Sequence, residues 1–207
     1  MENKKQYIII SPFFPSDTNH VGSYVYDQAK TLVDITNYDI KVIKVISIFS
    51  NEKDYLFGGI KVKVFRVFDL PFFIFPGIFN FINSFRIKQF FRKHNYLENL
   101  DIIHAHVCYP SAYLANSVSS IAQVKTIAQH HGIDALQLLN GRISFLTKLQ
   151  KEILKNRSLN QLNEIGLNLS VSNKVSMRLH SFRNYKPKNE FILYNGVDRD
   201  KFYNTNS

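Results

Sequence analysis

The chain has 207 residues, 45% of them hydrophobic and 20% charged, which excludes a disordered tract and allows one sizeable core. A formal net charge of +10 favours polyanionic partners such as nucleic acid, an anionic membrane face or phosphorylated substrates. No zinc-finger spacing, RNA-recognition signature or Walker loop accompanies that charge, so no nucleic-acid partner is expected.

The lone cysteine, Cys108, excludes an internal disulfide framework and fits a reducing compartment. The start, MENKKQYIIISPFF, has a short apolar stretch with no small-residue cleavage site after it, unlike a secretory signal. The longest uncharged run, LPFFIFPGIFNFINSF over 70–85, falls short of the roughly 20 apolar residues of a spanning helix. Pro71 and Pro76 interrupt it. A cytoplasmic chain without a spanning segment is the expectation.

In chain order, YIIIS at 7–11 reads as a strand buried on both faces. PFFPSDTNHVG is a loop, rich in turn residues. SYVYDQAKTLVDI reads as a helix with Val25, Ala29, Leu32 and Val33 on one face. DIKVIKVISIF at 39–49 is a β-branched strand, and GGIKVKVFRV at 58–67 alternates as a third, half-exposed one. From Gly77 a helix begins, with Ile78, Phe81, Ile82 and Phe85 in one stripe and Arg86, Lys88, Arg92 and Lys93 following.

DIIHAH is the next strand, and YPSAYLANSVSSIA a helix with Pro110 in its first turn. VKTIAQHH is a strand, GRISFLTKLQKEILKNRSLNQLNEIG a long basic helix, LNLSVS a strand, NKVSMRLHSF a helix, and NEFILYNGVD a last strand ending in a turn. This alternation predicts an open, mostly parallel α/β sheet, whose ligands bind beyond the carboxyl ends of the strands. The loop after the first strand, the histidines of DIIHAH and QHHGIDA, and the YNG turn all fall at that edge.

Several chemistries compete for these histidines. A zinc site has its donors on paper in His104, His106, His130, His131 and Cys108. Strand alternation puts His104 and His106 on one face but sends adjacent His130 and His131 to opposite faces. No acidic residue stands at ligand spacing nearby, and no metal is expected. Cys108 lacks the local signature of a nucleophile. The first loop carries Gly22 alone rather than a three-glycine dinucleotide turn, which argues against a nicotinamide or flavin enzyme. His131 is followed by Gly132, which permits close ligand approach, and Asp134 stands where another helix could start. The residues alone leave open a site histidine aimed at developing charge or one bonded to a loop carbonyl.

Four segments in order resemble the N-terminal domain of a GT-B glycosyltransferase of the retaining group called glycosyltransferase family 4. They are SPFFPSDTNHVGSYVYDQAKTL, DIIHAHVCYPSAYLA, TIAQHHGIDA, and LSVSNKVSMRL followed by ILYNGVDRDKF. The resemblance implies a Rossmann-like sheet spanning 1–207 as a single acceptor-side domain. A second domain would bind the nucleotide-sugar donor, and its Glu-x7-Glu motif has no counterpart here; it is expected in cis or on a separate chain. It further implies a glycan or lipid-linked acceptor in cell-surface polysaccharide or glycolipid synthesis, no cofactor beyond the nucleotide-sugar co-substrate, and no metal.

Carried over by motif, His131 matches the histidine facing the sugar near the reacting carbon, and Gly22 the first-loop glycine near the donor phosphates. Ser23, His106, Tyr109 and Asp134 complete the expected substrate-binding set. Many relatives have paired first-loop glycines, whereas this chain has His20-Val21-Gly22. The competing reading is a non-catalytic basic α/β module that binds a polyanion or a partner chain. Finally, Phe81, Phe85, Arg86, Lys88, Arg92 and Lys93 are expected to contact an anionic membrane face. Phe72, Phe73, Phe75, Phe79, Phe90 and Phe91 add more aromatics than one core face accommodates.

Overall fold

A computed structural model of the chain describes residues 4–68, 77–132 and 145–196. Its elements begin with β1 (Gln6–Ser11), α1 (Ser23–Ile35), β2 (Asp39–Ser47), β3 (Tyr55–Phe57) and β4 (Ile60–Val67). Next come α2 (Asn80–Lys93), β5 (Leu100–His106), a kinked turn at Cys108–Ala112 and α3 (Tyr113–Ser119). They finish with β6 (Lys125–His130), α4 (Phe145–Glu164), β7 (Leu167–Ser170), α5 (Asn173–His180) and β8 (Glu190–Ile192). The sheet order is β3-β4-β2-β1-β5-β6-β7-β8. Every pairing is parallel except β3 with β4. This is the expected Rossmann-like α/β architecture.

The order follows from right-handed crossovers. From β1 the chain moves one way through α1 to β2. From β4 it returns past β1 to β5 and continues outward to β8. The reversal places β1 between β2 and β5, a topological switch point at whose carboxyl edge ligands collect. The same handedness sorts the helices. α1 lies on one face, where Val25 and Ala29 pack with Tyr7, Ile9, Phe14, Val42, Ile60 and Val62. On the other face α2, α3, α4 and α5 bury Ile87, Phe91, Leu114, Leu154 and Leu179 against Ile8, Ile10, Ile43 and Ala105. β1 therefore has cores on both sides, which is why its six residues are all buried and its apolar run is continuous.

Three details depart from the pattern of the sequence. Val33 is 48% exposed, so α1 is anchored by Val25 and Ala29 with Leu32 only half-buried. Tyr55–Phe57 forms a strand that hairpins onto β4 through Gly58 and Gly59, both at positive φ. Pro110 does not open α3 but lies within the kinked turn before it. The stripe of α2, read from the sequence as a membrane-contact face, points away from the sheet. Ile78, Phe81, Ile82 and Phe85 are exposed, and Asn83, Ile87 and Phe91 face inward.

The surplus phenylalanines also divide. Phe91 is fully buried and Phe90 packs at the edge of the same core. Phe72, Phe73 and Phe75 lie outside the described residues. Among the described residues no helix is long and apolar enough to cross a membrane.

Candidate active site at the carboxyl edge of the sheet

β5 places His104 and His106 on the α1 face, as alternation requires. Their rings stack at 4.4 Å between centroids with planes 27° apart. Tyr7 Oη is hydrogen-bonded to His104 Nδ1 at 2.7 Å, which ties the lower ring to β1. His131 stands one residue beyond β6, on the same face. Its Nε2 is 2.9 Å from His106 Nδ1, and the two rings are 11° from coplanar. The result is a column of Tyr7, His104, His106 and His131 that rises from the smaller core to the edge of the sheet.

His130 belongs to the opposite face, where its Nε2 donates to Asn168 Oδ1 at 3.0 Å. Asn168 in turn donates from Nδ2 to the Leu162 carbonyl, which fixes the amide so that its oxygen faces His130. His130 is thus a satisfied core residue, and His131 is the one that reaches the edge.

Burial sets the charge state of this cluster. His131 is held at about 4, first by desolvation and then by the neighbouring His130. His104 is pushed to about 3 by complete burial, with His131 adding to the shift. His106 lies well below its ordinary value for the same reason, helped by His104 and His131. These three rings are therefore neutral near pH 7. Each can donate from one nitrogen and accept at the other.

His131 opens onto a groove of about 810 Å³ that runs along α1. Tyr24, Gln28 and Thr31 of α1 form one wall; Gln129, His131 and the segment Leu193–Gly196 form the other. The Tyr24 ring lies 4.2 Å from the His131 ring. The YNG turn therefore meets the histidine cluster at one edge, as the topology requires.

Gly22 is the residue before α1, at φ +92°. A Cβ there would lie 2.5 Å from the Phe13 carbonyl carbon and 2.8 Å from the Phe14 nitrogen. Glycine is thus needed to seat the first loop against the start of α1. The Ser23 hydroxyl donates to the His20 carbonyl at 2.6 Å and so closes that loop on itself.

Tyr109 does not join the groove. Its ring is buried in the larger core, on the other face of the sheet, 5.5 Å from Tyr113. The chain turns there because Val107, directly after His106, has φ +66°. That conformation costs a β-branched residue about 1–3 kcal/mol. Asp134 lies outside the described residues.

Tyr24, Gln28 and Gln129 were not among the residues expected from the sequence. The helical spacing of Tyr24 and Gln28 marks them as neighbours on one face, but only the fold shows that this face meets β6. Among the described residues no three His, Cys, Asp or Glu side chains gather to hold a metal ion.

The chain matches the family described as Glycosyltransferase Family 4 over residues 21–201. No curated protein matches it in sequence. Among solved structures it is similar to one of sucrose-phosphate synthase from Thermosynechococcus elongatus, with a TM-score of 0.58 and 8% identity, covering 95% of this chain and 92% of that one. A second structure of that enzyme gives a TM-score of 0.64 and 10% identity over 96% of this chain and 50% of the other. A structure described as trehalose-6-phosphate from E. coli bound with UDP-2-fluoro glucose gives 0.55 and 11%, over 95% and 50%. At these identities the likeness is one of fold. The chain spans about half the length of the latter two. With the match running over residues 21–201 and the sheet order to go with it, the chain is a glycosyltransferase-family protein, a member of Glycosyltransferase Family 4 with the fold of a GT-B half.

Proposed function

We propose that this chain is the acceptor-side half of a retaining glycosyltransferase. In this reading it moves a sugar from a nucleotide-sugar to a glycan or lipid-linked acceptor in cell-surface polysaccharide or glycolipid synthesis. A donor-binding half completes the site, in cis or as a separate chain. A lipid-linked acceptor would bring the assembly to the cytoplasmic face of a membrane. The half-length coverage of two glycosyltransferase-like structures supports this division.

The observation that carries the reading is a neutral His131 at the mouth of the groove, held by buried His106. As a glycosidic bond to the leaving nucleotide breaks, the sugar ring gains oxocarbenium-like positive charge. An imidazolium beside it would raise that barrier. A neutral imidazole offers a lone pair or an N–H to a sugar hydroxyl without that penalty, and its fixed orientation avoids reorganisation during transfer. The groove along α1 gives the acceptor a wall on which to lie next to this group.

The test is reconstitution with a donor-binding half, followed by product analysis with nucleotide-sugars and lipid-linked or free glycan acceptors. Transfer with retained anomeric configuration, lost in His131→Ala, supports the reading. Inverted product, or full turnover by a folded His131→Ala protein, overturns it.

A further inference from the structure

The outward face of α2 is built like a surface that lies on a bilayer. Ile78, Phe81, Ile82 and Phe85 are between 43% and 85% exposed, Phe81 the most. Phe81, Ile82 and Phe85 share one side of the helix, and Ile78, in the turn before it, extends the i, i+3, i+4, i+7 spacing. Lys88 and Arg92 continue that side toward the carboxyl end, and Arg86 and Lys93 border it. The sequence has no Asp or Glu from Leu70 to Leu97. No salt bridge among the described residues takes Lys88, Arg92 or Lys93.

Nothing forces this apolar stripe outward except the way α2 is docked. Asn83 is 1% exposed and spends both ends of its amide on the Phe68 backbone. Its Oδ1 accepts from Phe68 N and its Nδ2 donates to Phe68 O, each at 2.8 Å. That pair, with Ile87 and Phe91 below it, locks the helix with its other face to solvent. Arg86 donates to the Arg66 carbonyl at 2.6 Å and lies over the Phe68 ring at 4.6 Å, so it is held beside the stripe.

We propose that α2 is a membrane-contact helix that inserts Phe81 and Phe85 into the interface of an anionic bilayer. Ile78 and Ile82 lie beside them, and Lys88, Arg92 and Lys93 meet phosphate-bearing head groups. The occupant is a lipid surface because every charged residue of α2 that borders the exposed aromatics is a cation. That arrangement complements a plane of anionic head groups above hydrocarbon. Each such cation strengthens partition to an anionic surface by roughly fivefold. The proposal does not depend on the transfer reading. If both hold, the amino end of α2, which follows β4, sits at the same edge of the sheet as His131 and brings that edge close to lipid-borne acceptors.

Co-sedimentation of the chain with vesicles tests this, using phosphatidylcholine alone and phosphatidylcholine with about a third phosphatidylglycerol, a mixture that gives a cytoplasmic-like surface potential. Two variants accompany the wild type: Phe81→Ser/Phe85→Ser, and Lys88→Glu/Arg92→Glu/Lys93→Glu. Both change exposed or half-exposed positions, and unchanged circular dichroism and thermal midpoint confirm folding. The expected result is binding to the anionic vesicles that weakens at least tenfold in each variant. A second readout is a blue shift on vesicle addition when Phe81→Trp is used as a fluorescent reporter. Negligible binding of wild type to either vesicle overturns the proposal. So does anionic binding that the serine variant retains, which would be adsorption of a basic surface alone. A concentration-dependent dimer abolished by the serine variant, without vesicle binding, would assign the face to a second copy and also overturn it.

Discussion

His131 Nε2 lies 2.9 Å from His106 Nδ1, so the imidazole at the mouth of the groove is held by one that is wholly buried. One proton serves the two nitrogens. The tautomer of His106 therefore decides whether His131 presents a donor or a lone pair to the groove.

His106 is then a positioning residue, and its removal should act through His131. In the assembled transferase, His106→Ala should lower kcat about 10–100-fold with KM little changed, because misplacing a reacting group by an ångström costs on this order. His106→Asn, whose amide overlaps the Nδ1 position, should recover part of the loss. It should also return the pH–rate profile toward wild type, which a purely structural repair would not do. Equal kcat in wild type and His106→Ala would remove His106 from the site.

Under the proposed division, residues 1–207 hold the acceptor side only and cannot by themselves bring both substrates together. The purified chain is expected to transfer no sugar from any nucleotide-sugar, while still binding acceptor in the groove along α1. Measurable turnover by the chain alone, checked by radiolabelled donor transfer, contradicts this.

The histidine cluster also fixes a pH dependence of stability. His104 at about 3 and His131 at about 4 lie below their unfolded value of about 6.5, and His106 and His130 are lowered as well. As pH falls below about 6.5 the unfolded chain takes up protons that the folded one refuses. Stability is therefore full above that value and is lost progressively toward the folded pKa values. Each histidine contributes a slope of up to about 1.4 kcal/mol per pH unit. Urea unfolding at pH 7.5 and 5.5 should differ by about 2 kcal/mol or more. His104→Gln should reduce the proton uptake on unfolding near pH 5 by about one. Identical stability at the two pH values would show that the rings are not buried neutral.

Much of this was legible before the fold. The continuous apolar run of β1, the period-two start of β4 and the separation of His130 from His131 follow from backbone geometry alone, and the structure agrees with each. Local polar chemistry was harder to read. The stripe of α2 has the spacing of a core face, yet it faces outward, because Ile87 and Phe91 take the inward side and Asn83, paired with the Phe68 backbone, fixes that docking. Tyr109 stands three residues from His106 but leaves the groove, because the positive φ of Val107 reverses the chain between them. The Gly58-Gly59 pair was a hairpin signal for β3 that three residues of strand were too short to reinforce.

Gly22 gives a sharp test of the first loop. Alanine there would need φ +92° and would press its Cβ against Phe13 backbone atoms at 2.5 and 2.7 Å. Gly22→Ala should cost roughly 2–5 kcal/mol, combining left-handed strain with overpacking that no side-chain motion relieves. Val21→Ala, at an exposed neighbour, should cost under about 0.5 kcal/mol. Chemical denaturation of both variants checks the pair, and a Gly22→Ala protein as stable as wild type would refute the close packing of loop and helix.

The docking of α2 rests on Asn83 in the same quantitative way. Asn83→Ala leaves the Phe68 N–H and carbonyl without their partners in a site that is 1% exposed at residue 83. Phe68 is 39% exposed, so its freed groups can reach water, and two lost hydrogen bonds at about 0.5–1.5 kcal/mol each predict a loss of roughly 1–3 kcal/mol in urea unfolding. Asn83→Leu should not rescue it, since added apolar surface satisfies neither group, whereas Asn83→Ala in a pure packing role would be repaired by leucine. Hydrogen exchange at the Phe68 amide gives the local check. It should be protected in wild type and exchange at least tenfold faster in Asn83→Ala at a pH where the variant remains folded. An amide that exchanges equally in both proteins would mean that the Asn83 pair does not dock α2 on β4, and that the outward turn of Phe81 and Phe85 has another cause.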